Sequence, residues 1–196
     1  MRYGRSVNPA PIFLVVGAPA VGKSTTSRAL ARRFERAVHI PVDDLRDMVL
    51  AGAVLPAPDW SDALVEQVRL ARQSAIAMAV AYAGARFTVV IDDFWDPPGL
   101  VEYDELAAGR SFCRVLLRPD REEALRRNYG RHGEDPVRAY LDEGIHLVYD
   151  ALGGDHAAAR LAQGQWLVLD TTQLDVDAAV DRILAHAGLS SMAAPG

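Results

Sequence analysis

The chain has 196 residues, with 21 basic and 26 acidic side chains and half of its residues hydrophobic. That length fits one domain able to bury about 70% of its unfolded surface, and the composition excludes disordered, collagen-like and coiled-coil chains. A net charge of −5 argues against nucleic-acid binding through the global field, and the single cysteine, Cys113, excludes an intrachain disulfide and a cysteine-cage zinc site.

Short β-branched runs alternate with longer helical patterns along the whole length, as expected of a parallel sheet with crossover helices. Residues 1–11 mix Arg, Gly, Asn and Pro and lead into an apolar run, 12–16, that is too short for a signal or membrane segment. A reducing cytoplasmic location is expected, with no membrane contact. Strands are predicted over 12–16, 37–42, 87–91, 112–117 and 166–169; none shows a polar alternation, which suits strands buried on both faces. Helices are predicted over 23–34, 44–51, 61–83, 101–108, 121–131, 136–152 and 176–187. Gly84 stands where the longest helix needs a left-handed terminator. Pro56, Pro58, Pro97, Pro98 and Gly99 punctuate two loops at the carboxyl ends of strands, where open α/β sheets bind ligands. No linker divides the chain, so residues 1–196 read as a single domain with a core over about 12–188 and a frayed tail from Ser190 to Gly196.

Directly after the first strand, Gly17, Ala18, Pro19, Ala20, Val21, Gly22, Lys23 and Ser24 satisfy G-x-x-x-x-G-K-[ST], and a helical segment continues from Thr25. Glycines let backbone amides curl around a phosphate, and the following helix presents unpaired N–H groups and a partial positive charge. Lys23 would reach the β- and γ-phosphates of ATP, and the Ser24 hydroxyl would ligate Mg2+. Twenty of the 21 basic residues are arginine and Lys23 is the single lysine. A tight phosphate cradle accommodates a compact ammonium better than a planar guanidinium.

The third strand delivers Asp92 to the carboxyl edge of the sheet, the position that holds magnesium beside a phosphate loop. Alternation turns Asp93 away, either into a loop-capping role or a functional one. The second strand ends in Val42, Asp43, Asp44, Leu45 and Arg46. Asp43 can take the proton from a substrate hydroxyl, and Arg46, one helical turn on, can hold a polar or anionic group of that substrate. The alternative for Asp43 is a helix N-cap. After the fourth strand, Asp120 is a candidate N-cap for a helix on which Arg127 and Arg131 share a face. Closure of this lid, residues 119–135, would place both guanidinium groups on the triphosphate; the alternative is a solvated face pairing Arg127 with Glu123. Trp60, Phe94 and Trp95 are candidates for stacking on a substrate.

These elements together resemble the small P-loop kinases: chloramphenicol phosphotransferase-like, gluconate kinase-like and shikimate kinase-like proteins, and the kinase domain of bacteriophage-type polynucleotide kinase. The resemblance covers 12–184 and implies a three-layer P-loop NTPase fold of the α/β class, with a five-stranded parallel sheet in the order 2-3-1-4-5 between two helical layers and a helical lid. It implies that Asp43 acts on the acceptor hydroxyl and that an R-x-x-x-R lid, here Arg127 and Arg131, contacts ATP. The expected function is Mg-ATP-dependent transfer of the γ-phosphate to a hydroxyl of a small antibiotic-, nucleoside- or sugar-like molecule. The Asp43-Asp44-Leu45-Arg46 segment resembles the D-D-x-R of polynucleotide kinases, so a 5′-hydroxyl nucleic-acid kinase is the runner-up. A third expectation is a nucleotide-dependent switch that hydrolyses ATP without a small acceptor.

Overall fold

The computed structural model describes residues 10–55 and 60–189. The expected character of 1–9, Pro56, Pro58 and the tail from Ser190 lies outside them. Among the described residues, β1 (Ile12–Gly17), β2 (Ala37–Pro41), β3 (Thr88–Phe94), β4 (Phe112–Leu117) and β5 (Leu167–Leu169) form one parallel sheet in the order β2-β3-β1-β4-β5. This is the order the resemblance implied. The helices are α1 (Lys23–Ala31), α2 (Val42–Asp47), α3 (Asp62–Gly84), α4 (Pro97–Leu100), a 3₁₀ helix (Val101–Ala107), α5 (Arg121–His132), α6 (Val137–Leu152), α7 (Asp155–Gln163) and α8 (Val176–His186).

The central strand explains the layers. Ile12, Leu14 and Val16 of β1 point into one core, shared with Ala71, Ala75, Ile76 and Ala79 of α3; Phe13 and Val15 point into the other, with Leu30 of α1 and Val180 and Ile183 of α8. A strand covered on both faces buries every side chain, which is why its sequence is continuously apolar. In β3, Val89 and Ile91 face α3, whereas Val90 faces the opposite layer with α1. The same parity sends Asp92 and Asp93 to opposite faces.

Several local expectations are corrected. Helix α3 runs through Gly84, and the left-handed residue after it is Arg86, with φ 67°. Helix α2 begins at Val42 with Pro41 as its N-cap, so Asp43 lies inside the first turn and is not the cap. The Pro97-Pro98 segment forms the short helix α4, since proline's fixed φ suits a first turn. Helix α7 was not anticipated, although its nine residues are amphipathic at helical spacing. Helix α3 begins at Asp62, and Ser61, expected as its first residue, is its N-cap, accepting from the Leu64 N–H at 3.2 Å. Asp120 occupies the N-cap position of α5 without a side-chain cap bond.

Candidate active site

The phosphate loop leaves β1 at Gly17, where a Cβ would stand 2.7 Å from the Leu117 carbonyl oxygen and 2.8 Å from Val21 Cγ2. Only glycine fits this crossing between the loop and β4. The loop then turns through Ala20 and Gly22, both at positive φ (61° and 98°), and Gly22 caps α1. The first-turn amides of α1, from Lys23 through Thr25, have no intrahelical acceptors and form the anion-binding end of the helix. Lys23 turns back over the loop and donates from Nζ to the Ala18 carbonyl at 2.9 Å. Burial lowers the pKa of this ammonium; Asp43, Asp92 and Asp93 pull it back up, and Arg131 opposes them. Thus Lys23 stands within electrostatic reach of both candidate carboxylates and of the second lid arginine.

Asp92 is buried, with one oxygen 3.5 Å from Ser24 Oγ and the other 2.6 Å from His39 Nε2. Val38 and Ile40 of β2 pack into the α3-side core, so His39 points to the opposite face, the one Asp92 occupies. Sequence reasoning left His39 without a role; its place in the register, opposite Val90, was the available signal. Among the described residues no three His, Cys, Asp or Glu side chains form a metal cage. Ser24 and Asp92 are hard oxygen donors, and a hydroxyl with one carboxylate is the small donor set that suits an ion sharing its coordination with phosphates and water.

Asp93 faces the other layer. Its carboxylate accepts from Arg72 Nε at 2.7 Å, Tyr103 Oη at 3.0 Å and the Phe94 N–H at 2.8 Å. Arg72 also donates to Asp96 at 2.7 Å, and its guanidinium lies 4.9 Å from the Phe94 ring centroid. Arg72 is 1% exposed. Burial works against its charge, and Asp93 with Asp96 outweighs burial, so the guanidinium holds its proton more tightly than usual. Sequence reasoning missed Arg72. The signal was an arginine set four residues from Val68 and four from Ile76, within the buried stripe of α3.

Asp43 is 63% exposed at its side chain and accepts from Arg46 at 3.4 Å. Trp60 packs edge-on against Phe94, with ring centroids 5.5 Å apart. Trp95 is corrected: it is 3% exposed and packs in the core against Trp166, because its backbone N–H donates to the Gly17 carbonyl and turns the ring beneath the sheet edge. It offers no free face for stacking.

The two lid arginines separate. Arg127 donates to Glu123 at 2.7 Å, to the Val21 carbonyl at 3.2 Å and to the Thr171 carbonyl at 2.8 Å. It joins α5 to the phosphate loop and to the turn after β5, and the alternative expected for it, pairing with Glu123, is present. Arg131 is exposed, with no ion pair among the described residues, and its field reaches Lys23. Buried Asn128 ties α5 to α6 through the Arg138 carbonyl and Asp142. Helix α6 crosses the phosphate loop closely at Gly144, where a Cβ would meet Pro19 Cγ at 3.4 Å. One turn earlier, Tyr140 lies within the fields of Arg46 and Asp43; no periodicity in the sequence signalled it.

Residues 12–151 match the family described as AAA domain. The chain belongs to this AAA-domain family. No curated protein matches the AAA-domain chain in sequence. Among solved structures it is similar to a sugar kinase from Janibacter sp. HTCC2649, with a TM-score of 0.64, 19% identity and coverage of 96% of this chain and 100% of that one. It is also similar to the Deinococcus radiodurans tunicamycin resistance protein, with TM-score 0.64, 17% identity and coverage of 95% and 99%. A third is shikimate kinase from Bacteroides thetaiotaomicron, with TM-score 0.62, 18% identity and coverage of 92% and 99%. At these identities the likeness is one of fold, and the fold is that of P-loop kinases. No helix among the described residues is long and apolar enough to cross a membrane.

Proposed function

We propose that this chain is a magnesium-dependent kinase that moves the γ-phosphate of ATP to a hydroxyl of a small molecule. The observation that carries the reading is the phosphate loop itself, with Lys23 Nζ folded back over it onto the Ala18 carbonyl and Ser24 Oγ 3.5 Å from the buried Asp92 carboxylate. A phosphate cradle and an acidic group at the magnesium position thus adjoin, and Asp43 stands in the first turn of the helix that follows β2, the strand next to β3. The names of the structural neighbours, which include sugar and shikimate kinases, support the same reaction class.

In the proposed reaction the amides of 20–25 and Lys23 hold the β- and γ-phosphates. Asp43 accepts the proton of the acceptor hydroxyl as its oxygen attacks the γ-phosphorus, and the bond to the β,γ-bridging oxygen breaks to release ADP. Lys23 and Arg131 balance the charge that spreads over the transferring phosphoryl group. Ser24 and Asp92 would hold Mg2+, which when bound neutralises charge on the β- and γ-oxygens, and His39 fixes the Asp92 carboxylate in position. Arg127 sets the distance between lid, loop and the turn after β5.

The test is incubation with γ-labelled ATP and Mg2+ against a panel of hydroxylated metabolites and antibiotics, with 5′-hydroxyl oligonucleotides in parallel. Label in a small acceptor is the expected result. Label confined to oligonucleotides establishes the nucleic-acid reading, and release of inorganic phosphate alone establishes a switch-like ATPase.

A further inference from the structure

The carboxylate proposed to hold magnesium is already engaged at one of its two oxygens. His39 and Asp92 stand on adjacent strands and on the same face of the sheet: β2 pairs His39 with Val90, and Asp92 follows Val90 by two residues on β3. The imidazole crosses that short diagonal and donates from Nε2 to Asp92 Oδ2 at 2.6 Å. The other oxygen, Oδ1, lies 3.5 Å from Ser24 Oγ in the first turn of α1. The Asp92 and His39 side chains are only 4% and 14% exposed, so little water competes for the bond between them.

The two oxygens of Asp92 therefore serve different partners. Oδ2 is committed to the imidazole N–H, and Oδ1 is turned toward the Ser24 hydroxyl and the phosphate loop. A carboxylate pinned in this way can give a cation one oxygen; bidentate coordination would require the ring to leave. That difference separates two hard cations. Mg2+ demands near-ideal octahedral geometry and keeps several waters beside its few carboxylate and phosphate ligands, whereas Ca2+ gathers more oxygens in flexible arrangements and readily takes both oxygens of a carboxylate.

We propose that His39 is a specificity-determining positioning residue: by holding Asp92 Oδ2 it restricts the carboxylate to one donor oxygen, and so favours Mg2+ over Ca2+ at the phosphates of the bound nucleotide. Hydrogen bonds to a ligating carboxylate fix its orientation and tune what it offers the ion. Removing the imidazole frees Oδ2 to turn toward the cation beside Oδ1, which benefits the ion with the larger coordination shell. This inference rests on the reading of Ser24 and Asp92 as ligands of the nucleotide's cation, and it is independent of which hydroxyl accepts the phosphate.

The experiment measures, by titration calorimetry on the intact protein, the affinity for a non-hydrolysable ATP analogue with saturating Mg2+, with saturating Ca2+ and with EDTA. Transfer from γ-labelled ATP to the acceptor panel is followed separately. The wild type is expected to bind the analogue about tenfold more tightly with Mg2+ than with Ca2+, the scale on which outer partners of a metal ligand act. His39→Ala should bring the two affinities together while binding in EDTA holds. His39→Gln, whose side-chain N–H can take the place of Nε2–H, should restore the gap. His39→Asn, too short to reach Oδ2, should match the alanine variant and replaces it if alanine does not fold. Equal affinities with Mg2+ and Ca2+ in the wild type overturn the inference, and so does a parallel fall in every affinity with the gap preserved, the outcome of a purely structural role. Identical wild-type binding with and without cations overturns it together with the magnesium reading. Label transfer with an unchanged gap in His39→Ala overturns it and leaves the kinase reading intact. Loss of the gap with no label transferred to any compound supports the inference and removes the kinase reading.

Discussion

Asp92 and Asp93 are neighbours in the chain and serve opposite layers of the sheet: Asp92 faces Ser24 and His39 at the phosphate loop, and Asp93 faces Arg72 inside α3. One peptide step thus couples the phosphate loop to helix α3. The predictions below follow from that arrangement and from the loop it adjoins.

Lys23→Ala should lower phosphate transfer by about 100- to 1,000-fold, the scale for removing a preorganised charge donor. Lys23→Arg keeps the charge but brings a planar guanidinium into the space where Nζ sits 2.9 Å from the Ala18 carbonyl. Its rate should fall with the alanine variant's rather than recover; steady-state transfer from γ-labelled ATP measures both.

Asp43→Asn should reduce kcat by about 100-fold or more while ATP affinity changes little, since the role proposed for Asp43 is at the acceptor hydroxyl. Nucleotide titration alongside turnover separates the two quantities. A collapse in ATP affinity would assign Asp43 to the nucleotide instead.

Arg72→Met leaves the Asp93 carboxylate buried without its main counter-charge and releases Asp96. Breaking a buried pair from one side costs about 3–5 kcal/mol, so urea unfolding should show a loss of that order. The double variant Arg72→Met with Asp93→Asn removes the stranded charge and should recover part of it.

Glu123 provides the pH test. Hydrogen bonds from Arg126 and then Arg127 hold its carboxyl down at about 2, against an ordinary value of 4.5. A depressed carboxyl contributes stability that is fully present above pH 4.5 and is lost as the pH falls toward 2. Arg126, the first of these partners, is 73% exposed, so the contribution is modest, about 1 kcal/mol. Thermal melts of the wild type and Glu123→Gln should therefore differ at pH 7 and converge near pH 2.

Gly17→Ala drives a methyl to 2.7 Å from the Leu117 carbonyl oxygen, where backbone rather than a flexible side chain must yield. Overpacking of this kind costs about 3 kcal/mol, and chemical denaturation should report it.

Sequence alone determined the alternation of strands and helices, the phosphate loop with Lys23 and Ser24, and the opposition of Asp92 and Asp93. Each is encoded locally, by apolar runs, by glycine spacing or by strand parity. The resemblance drawn from those motifs supplied the strand order. Tertiary structure decided what no spacing encodes. It set Arg72 against Asp93 across two elements, turned Trp95 into the core, and fixed Arg127 to the Val21 and Thr171 carbonyls while leaving Arg131 exposed. It also brought α6 across the phosphate loop, where Gly144 approaches Pro19. These contacts join residues far apart in the chain, and their partners are chosen by how the layers pack.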